Sequence, residues 1–261
     1  MSDSNILLVE NHGRVRLLIL NRGDALNSFN DALYDALMGA LNEAALDPRV
    51  AVAVLTGAGR GFSAGQDLSE MGNKPKHTDG KLHGFDPFMD TVSTFPKPLI
   101  AAVNGLGIGI GLTVLPHCDL VLMADNARLR APFMPLGVTA EAGSTYLLPA
   151  MIGWAETAHL LYTAPWIDAD KAVAIGLAWK KVAAAELRAE ALAVAGEMAA
   201  MPIPSLMGTK QLLLASRADA VRAARTREDA TFDTLRGGPA NLEAVAAFQE
   251  KRDPDFEKLG V

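Results

Sequence analysis

The chain has 261 residues, with 24 basic and 30 acidic side chains and a formal charge of −6. That balance argues against a nucleic-acid or anionic-membrane partner, since either needs a basic face, and a half-apolar composition excludes global disorder. The single Cys118 cannot build a disulfide framework, and the start MSDSNILLVE lacks a basic n-region and a long apolar h-region. The end, KLGV, is not an S-K-L terminus, so the expected location is cytoplasmic.

The stretch ILLVENHGRVRLLILN reads as a hairpin, two apolar runs around Asn11-His12-Gly13. Leu33, Leu37 and Leu41 recur every four residues after Asn30-Asp31, which predicts an amphipathic helix with a capped start. RVAVAVLTG is nearly all apolar, the pattern of a strand buried on both faces. AGRGFSAGQDLSEM follows as a glycine loop entering a helix capped near Asp67. Residues 72–90 are polar and read as a mobile surface segment. Within it, Phe85, Phe88 and Met89 either line an acyl pocket or pack the segment itself. His77, His83, Asp79 and Asp86 show no metal-ligand spacing, so no metal is expected.

PLIAAVNGLGIGIGLTVL, residues 98–115, is uncharged and nearly long enough to span a bilayer. Its alternate glycines weaken any helix by up to ~1 kcal/mol each. A buried strand, a glycine loop and a helix fit better than a span. DLVLMA and ARLRAPF read as short strands, and His117-Cys118 before the first of them as a buried pair with an inert thiol. Helical patterns then cover 154–162, 168–176, 186–200, 203–217, 219–235 and 239–251, and over 219–251 Val221, Ala224, Val245 and Phe248 fall on apolar stripes that need a partner surface. The reading is α/β: one domain over 1–195, then a helical part over 196–261.

Ser63-Ala64-Gly65-Gln66-Asp67 and Gly107-Ile108-Gly109-Ile110-Gly111 are two strand-to-helix loops whose backbone N–H groups suit a negative charge. Neither has the spacing of a dinucleotide or P-loop motif. Between Arg130 and Glu156 the one charged residue is Glu141, set among Phe, Met, Leu, Val, Tyr and Pro. Most glutamates lie in exposed loops. A carboxylate placed among apolar side chains would instead hold its proton more tightly and serve as an acid or base.

FSAGQDL, then IAAVNG with its glycine run and CD, then APF, LG and GSTYLLPAMIG, and finally IGLAWKKV, stand in an order that resembles the crotonase (enoyl-CoA hydratase/isomerase) superfamily. The likeness runs from LNRGDALNSF to FQEKRDPDF. It implies a spiral of ββα turns, a C-terminal helical region that assembles trimers or dimers of trimers, and a coenzyme A thioester as substrate, with no separate cofactor. It makes the two loops an oxyanion hole with the N–H groups of Ala64 and Ile110 as donors. It runs coenzyme A along Ala25, Leu26 and Asn27 and along Ala64, Gly65, Gln66, Asp67 and Leu68, with Gly109 and Phe133 also facing the substrate. Where the family often carries a lysine before A-L-N this chain has Asp24, which leaves Arg22, Lys97, or Lys251 and Arg252 from a neighbouring subunit, as unranked phosphate contacts.

Hydratases of the superfamily use two glutamates; the matching positions here are Thr113 and Phe133. Around Glu141 the pattern is similar to the peroxisomal-type Δ3,Δ2-enoyl-CoA isomerases. That likeness makes Glu141 the single base. The rivals are a hydratase or an aryl-CoA epoxide or ring isomerase of the same superfamily, and an acyl-CoA-binding protein without chemistry.

Overall fold

The computed structural model describes residues 6–67, 69 and 77–259. β1 (Leu7–His12) and β2 (Val15–Leu20) form the expected antiparallel hairpin. α1 (Asp31–Leu46) begins at Asn30, whose side chain accepts from the Leu33 N–H, and it buries Leu33, Leu37 and Leu41 on one face.

From there the chain repeats one manoeuvre. A strand runs through a first sheet, turns sharply into a short strand of a second sheet, and then leads out. β3 (Val52–Gly57) is followed by β4 (Gly61–Ser63), β5 (Leu99–Val103) by β6 (Leu106–Ile108), and β7 (Leu120–Ala124) by β8 (Arg128–Arg130). α2 (Phe85–Ser93) comes after β4, and α3 (Ile110–Thr113) after β6. With β9 (Ile167–Asp168) and β10 (Lys180–Val182), the sheet orders are β1-β2-β3-β5-β7-β10 and β4-β6-β8-β9. Pairings are parallel except β1 with β2 and β8 with β9. This is the expected ββα spiral. β3 and β5 are covered on both faces, which is why their sequences are continuous apolar runs.

The uncharged run at 98–115 is thus β5, β6 and α3, and no single helix among the described residues is long and apolar enough to cross a membrane. The later helices are α4 (Ser144–Ile152), α5 (Trp154–Thr163), α6 (Ala169–Ala174), α7 (Leu187–Ala199), α8 (Ile203–Ala215), α9 (Ala218–Leu235) and α10 (Pro239–Glu250). α7 lays Leu187, Ala191, Ala195 and Ala199, four residues apart, against the first sheet. α9 returns to pack on α4.

Three expectations change. The described end of the polar segment carries α2, whose Phe88 and Met89 are fully buried. Phe88 packs against Tyr34 and Phe29, with ring centroids 5.3 and 5.8 Å away, so these side chains build core rather than line an open pocket. Val221 and Ala224, expected to need a second subunit, are covered within the protomer where α9 meets α4; Val245 and Phe248 remain exposed. Lys97 is 1% exposed and donates to the carbonyls of Ala44 and Asp47, both at 2.7 Å. It caps the end of α1 and is not free to meet a phosphate.

Asn27 shows how the first turn of the spiral is pinned. Its Oδ1 accepts from the Arg22 N–H at 2.8 Å, and its Nδ2 donates to Ala58 O and Gly61 O at 3.0 and 2.8 Å. The side chain is completely buried, in a left-handed backbone (φ 57°) that asparagine tolerates better than alanine. Asn27→Ala strands these partners and is expected to cost about 2–3 kcal/mol in urea unfolding. A loss below about 1 kcal/mol would contradict this bracing role.

Candidate active site

β4 and β6 run side by side in parallel, pairing Gly61 with Leu106 and Ser63 with Gly107. Three residues further on, the register leads to Gln66 on one loop and Ile110 on the other. The loops touch backbone to backbone. A methyl group on Gly65, already at φ +94°, would sit 2.8 Å from the Ile108 carbonyl oxygen.

A third strip of chain joins them. Leu26 O accepts from Ala64 N at 2.9 Å, Phe29 N donates to Gly65 O at 2.7 Å, and Asp67 N donates to Phe29 O at 2.8 Å. Ala25, Leu26 and Asn27 therefore lie beside Ala64, Gly65, Gln66 and Asp67, as expected from the sequence; Leu68 lies outside the described residues. The same bonds correct one expectation. The Ala64 N–H is already committed to Leu26 and is not an available donor. Phe29 bonds to the residues on either side of Gln66, so the Gln66 N–H faces away from that strip. Ile110 is the first residue of α3, where a helix leaves its N–H groups unbonded. Among the described residues, neither of these two N–H groups has an acceptor. The Gln66 side chain is held from α1, accepting from the Tyr34 hydroxyl at 2.9 Å, and Asp67 is paired with Arg22 at 2.9 Å.

Glu141 sits on a tight turn before α4. Ala142 and Gly143 both have positive φ, 63° and 72°. A methyl on Gly143 would press Val221 of α9 at 3.1 Å. The turn is clamped from two sides. Ala142 O accepts from His117 Nε2 at 2.8 Å, so that nitrogen carries the proton, and burial pushes the imidazole pKa down to about 4, which keeps it neutral. From α9, Glu228 accepts from Gly143 N at 2.6 Å, Thr145 N at 2.8 Å and Thr145 Oγ1 at 2.6 Å.

Glu141 itself is half-buried. Burial pushes its pKa up to about 8, with the negative charges of Glu228, Asp229 and Asp86 adding to the effect and a weak hydrogen bond from Thr113 opposing it. Thr113 lies in α3, one turn beyond Ile110, so the carboxyl group neighbours the helix that presents the second unbonded N–H. Thr113 and Phe133, at the hydratase glutamate positions, are both buried. Cys118 is buried and its thiol is pushed up to about 12 by that burial, which leaves it protonated and unreactive.

Within the protomer neither Arg22 nor Lys97 stands along this strip as a free cation. Arg22 is bound to Asp67 and Ser28, Lys97 is buried, and Arg252 is paired with Glu243 and Glu250. Lys251 is exposed at the end of α10. Among the described residues no group of three or more His, Cys, Asp or Glu side chains is arranged to hold a metal. Sequence reasoning missed Glu228 and His117 as parts of the site. The only signal was local: a glutamate in an otherwise ordinary amphipathic helix, and a histidine directly before the C-D pair.

The enoyl-CoA hydratase/isomerase family model matches residues 10–259. The chain is 36% identical over 253 residues to the 2,3-dehydroadipyl-CoA hydratase of Escherichia coli K12, covering 96% of this chain and 98% of that one. It is 33% identical over 248 residues to the 1,2-epoxyphenylacetyl-CoA isomerase of the same strain, covering 93% and 94%. Among solved structures it is similar to an enoyl-CoA hydratase/isomerase from Pseudoalteromonas atlantica T6c, with a TM-score of 0.92 and 34% identity over 96% of this chain and 99% of that one. Together with the ββα spiral and the two touching glycine loops, these matches place the chain in the enoyl-CoA hydratase/isomerase family of the crotonase superfamily.

Proposed function

We propose that the protein is an enoyl-CoA isomerase that moves a C3–C4 double bond of an acyl-CoA to C2–C3, with Glu141 as its single base. The observation that carries this reading is one half-buried carboxyl group, raised to about 8, beside a pair of unbonded N–H groups. A thioester α-proton is too weakly acidic for any carboxylate unless charge on the thioester oxygen is stabilised. Preorganised donors supply that stabilisation, each worth ~10²–10³ in rate. Here the donors are the N–H groups of Gln66, in place of Ala64, and Ile110. Glu141 takes the proton from C2, the electrons spread as a dienolate over C2, C3 and C4, and the same carboxyl group returns the proton at C4. Atoms balance without water. The high pKa makes the Glu141 carboxylate a stronger base for the first step and limits the fraction of that base present at neutral pH, while the carboxyl group it becomes is still acidic enough to protonate a dienolate carbon.

Coenzyme A lies along Ala25–Asn27 and Ala64–Asp67, held mainly by backbone. Hydration needs an acid and a base aimed at one water molecule. Buried Thr113 has its hydroxyl on Gly109 O at 3.3 Å, and Phe133 has no ionisable group. The resemblance to the epoxyphenylacetyl-CoA isomerase brings in a ring-isomerisation reading, which uses a carboxyl group on the same scaffold.

Purified protein incubated with 3-hexenoyl-CoA is expected to develop the absorbance of the conjugated 2-enoyl thioester. Glu141→Gln should lower kcat/KM by about 10²–10⁴ while retaining the fold. In the wild type, kcat/KM should rise with pH and reach half its plateau near 8, because the carboxylate is the active form and its pKa is raised to about 8. Hydration of 2-hexenoyl-CoA should trail isomerisation by at least ~10². Equal rates for the two reactions, or full activity in Glu141→Gln, would refute the reading. Turnover of a 1,2-epoxyarylacetyl-CoA with no activity on 3-hexenoyl-CoA would replace it with ring isomerisation.

The exposed Leu212 and Leu213 on α8 and Leu242, Val245 and Phe248 on α10 leave apolar surface on the C-terminal helices. A homotrimer, or a dimer of trimers, covers that surface. Light scattering at micromolar concentration should give three or six times the mass of the 261-residue chain, and a monomer mass would contradict the assembly.

A further inference from the structure

We propose that Glu228, on α9, is a positioning residue for Glu141: it grips the turn that carries the base and, as a fixed negative neighbour, governs how tightly that base holds its proton. The inference rests on the proposed role of Glu141 for its catalytic meaning, though not for its geometry.

The geometry comes first. Glu228 is 3% exposed and uses both carboxyl oxygens: Oε2 accepts from Gly143 N, and Oε1 from Thr145 N and Thr145 Oγ1. Gly143 is two residues from the base and directly precedes α4, which runs Ser144–Ile152. An anion is at home there, since the first N–H groups of a helix lack partners within it. The carbonyl side of the same Ala142–Gly143 peptide is held by neutral His117 through Ala142 O. Ser144 donates both its N–H and its hydroxyl to Glu141 O, so the backbone of the base is fixed on every side.

Two nearby buried carboxyl groups do not ionise together readily, and the better hydrogen-bonded one takes the charge. Burial raises the Glu228 pKa too, but three hydrogen bonds from Gly143 and Thr145 work against that rise. For Glu141 Thr113 alone works against it. The charged and titratable groups facing the base are Glu228 and Asp229 from α9, Asp86 from α2 and Tyr34 from α1, while neutral His117 holds the turn at Ala142 O. The nearest arginine, Arg225 on α9, is turned to Asp90 and to Asp86 O, across to α2. No cation neutralises the pair among the described residues. Environments of this kind separate two like groups into one that stays charged and one that exchanges its proton.

The test is a titration of the glutamate carboxyl carbons by NMR on the full-length, 13C-labelled protein without substrate, with the Glu141 resonance assigned by its loss in Glu141→Gln. Glu228→Gln should shift the Glu141 midpoint down by about one pH unit or more. The pH profile of kcat/KM should move with it, and kcat at its plateau should fall because the turn is held less firmly. Glu228→Asp keeps the charge but shortens the reach, so kcat should fall while the midpoint stays within a few tenths of the wild type. An unmoved Glu141 midpoint in Glu228→Gln overturns the proposal. Should Glu228→Gln not fold, the wild-type spectrum decides: Glu228 must titrate below Glu141, and the reverse order overturns the proposal as well. Since the titration needs no turnover, a shifted midpoint in a protein without isomerase activity would sink the proposed reaction and leave the coupling standing. Normal isomerase activity with an unmoved midpoint would do the opposite.

Discussion

Between Ser63–Gly65 on one loop and Ile108–Gly111 on the other, backbone meets backbone with no space for a side chain. A methyl at Gly65 would meet Ile108 O at 2.8 Å, and one at Gly111 would meet Ser63 O at 2.6 Å. The contact follows from the spiral. Two successive strands leave the first sheet and pair in parallel in the second, so the loops that follow them emerge side by side. Backbone N–H groups that emerge there without partners are held by the sheet rather than by flexible side chains. Their direction is fixed before any ligand arrives, which is the condition under which donors stabilise developing charge without a reorganisation cost.

The base is supplied differently. Glu141 belongs to neither loop, and its turn carries two left-handed residues in a row, a conformation that costs of order 1–3 kcal/mol where the residue is not glycine. The turn persists because parts distant in sequence restrain it: His117 on the carbonyl side, Glu228 on the amide side, and Val221 against Gly143. The C-terminal helices are therefore more than surface for assembly. α9 completes the wall behind the carboxyl group, within the same protomer.

What could be read from the sequence, and what could not, divides along range. Leu33, Leu37 and Leu41 gave α1, the apolar run gave β3, and the glycine spacing gave both loops, because periodicity and turn chemistry are local. The isolation of Glu141 among apolar residues was also local, and its half-buried setting matches. The donor position was displaced from Ala64 to Gln66 because it depends on which N–H is taken by Leu26, a residue in another turn of the spiral with a left-handed backbone that no local pattern marks. Lys97 reads as a free cation until the end of α1 is placed over it. Val221 and Ala224 read as an open stripe until α4 covers them. Glu228 was invisible for the same reason: a buried carboxylate and an exposed one look alike on a helix until the packing partner is known.

The family's chemistry is thus separable from its frame. The frame presents two unbonded N–H groups beside the strip at Ala25–Asn27, while Thr113, Phe133 and Glu141 lie on other parts of the chain. Those three positions sit at the ends of elements the frame holds still, on α3, before the turn at 134–136, and before α4. Carboxyl groups at the first two would face water and hydrate a double bond. Here one is a hydroxyl bound to its own helix and the other is an aromatic ring, so the acid–base capacity is concentrated on the third. A hydratase must admit water; a single base that moves a proton between two carbons works better without it, since a protonated carboxyl group that meets no water has only the dienolate to return its proton to. Withdrawing the carboxyl group partly from water raises its pKa and reduces the water around it in one step, so desolvation serves both requirements of the proposed reaction.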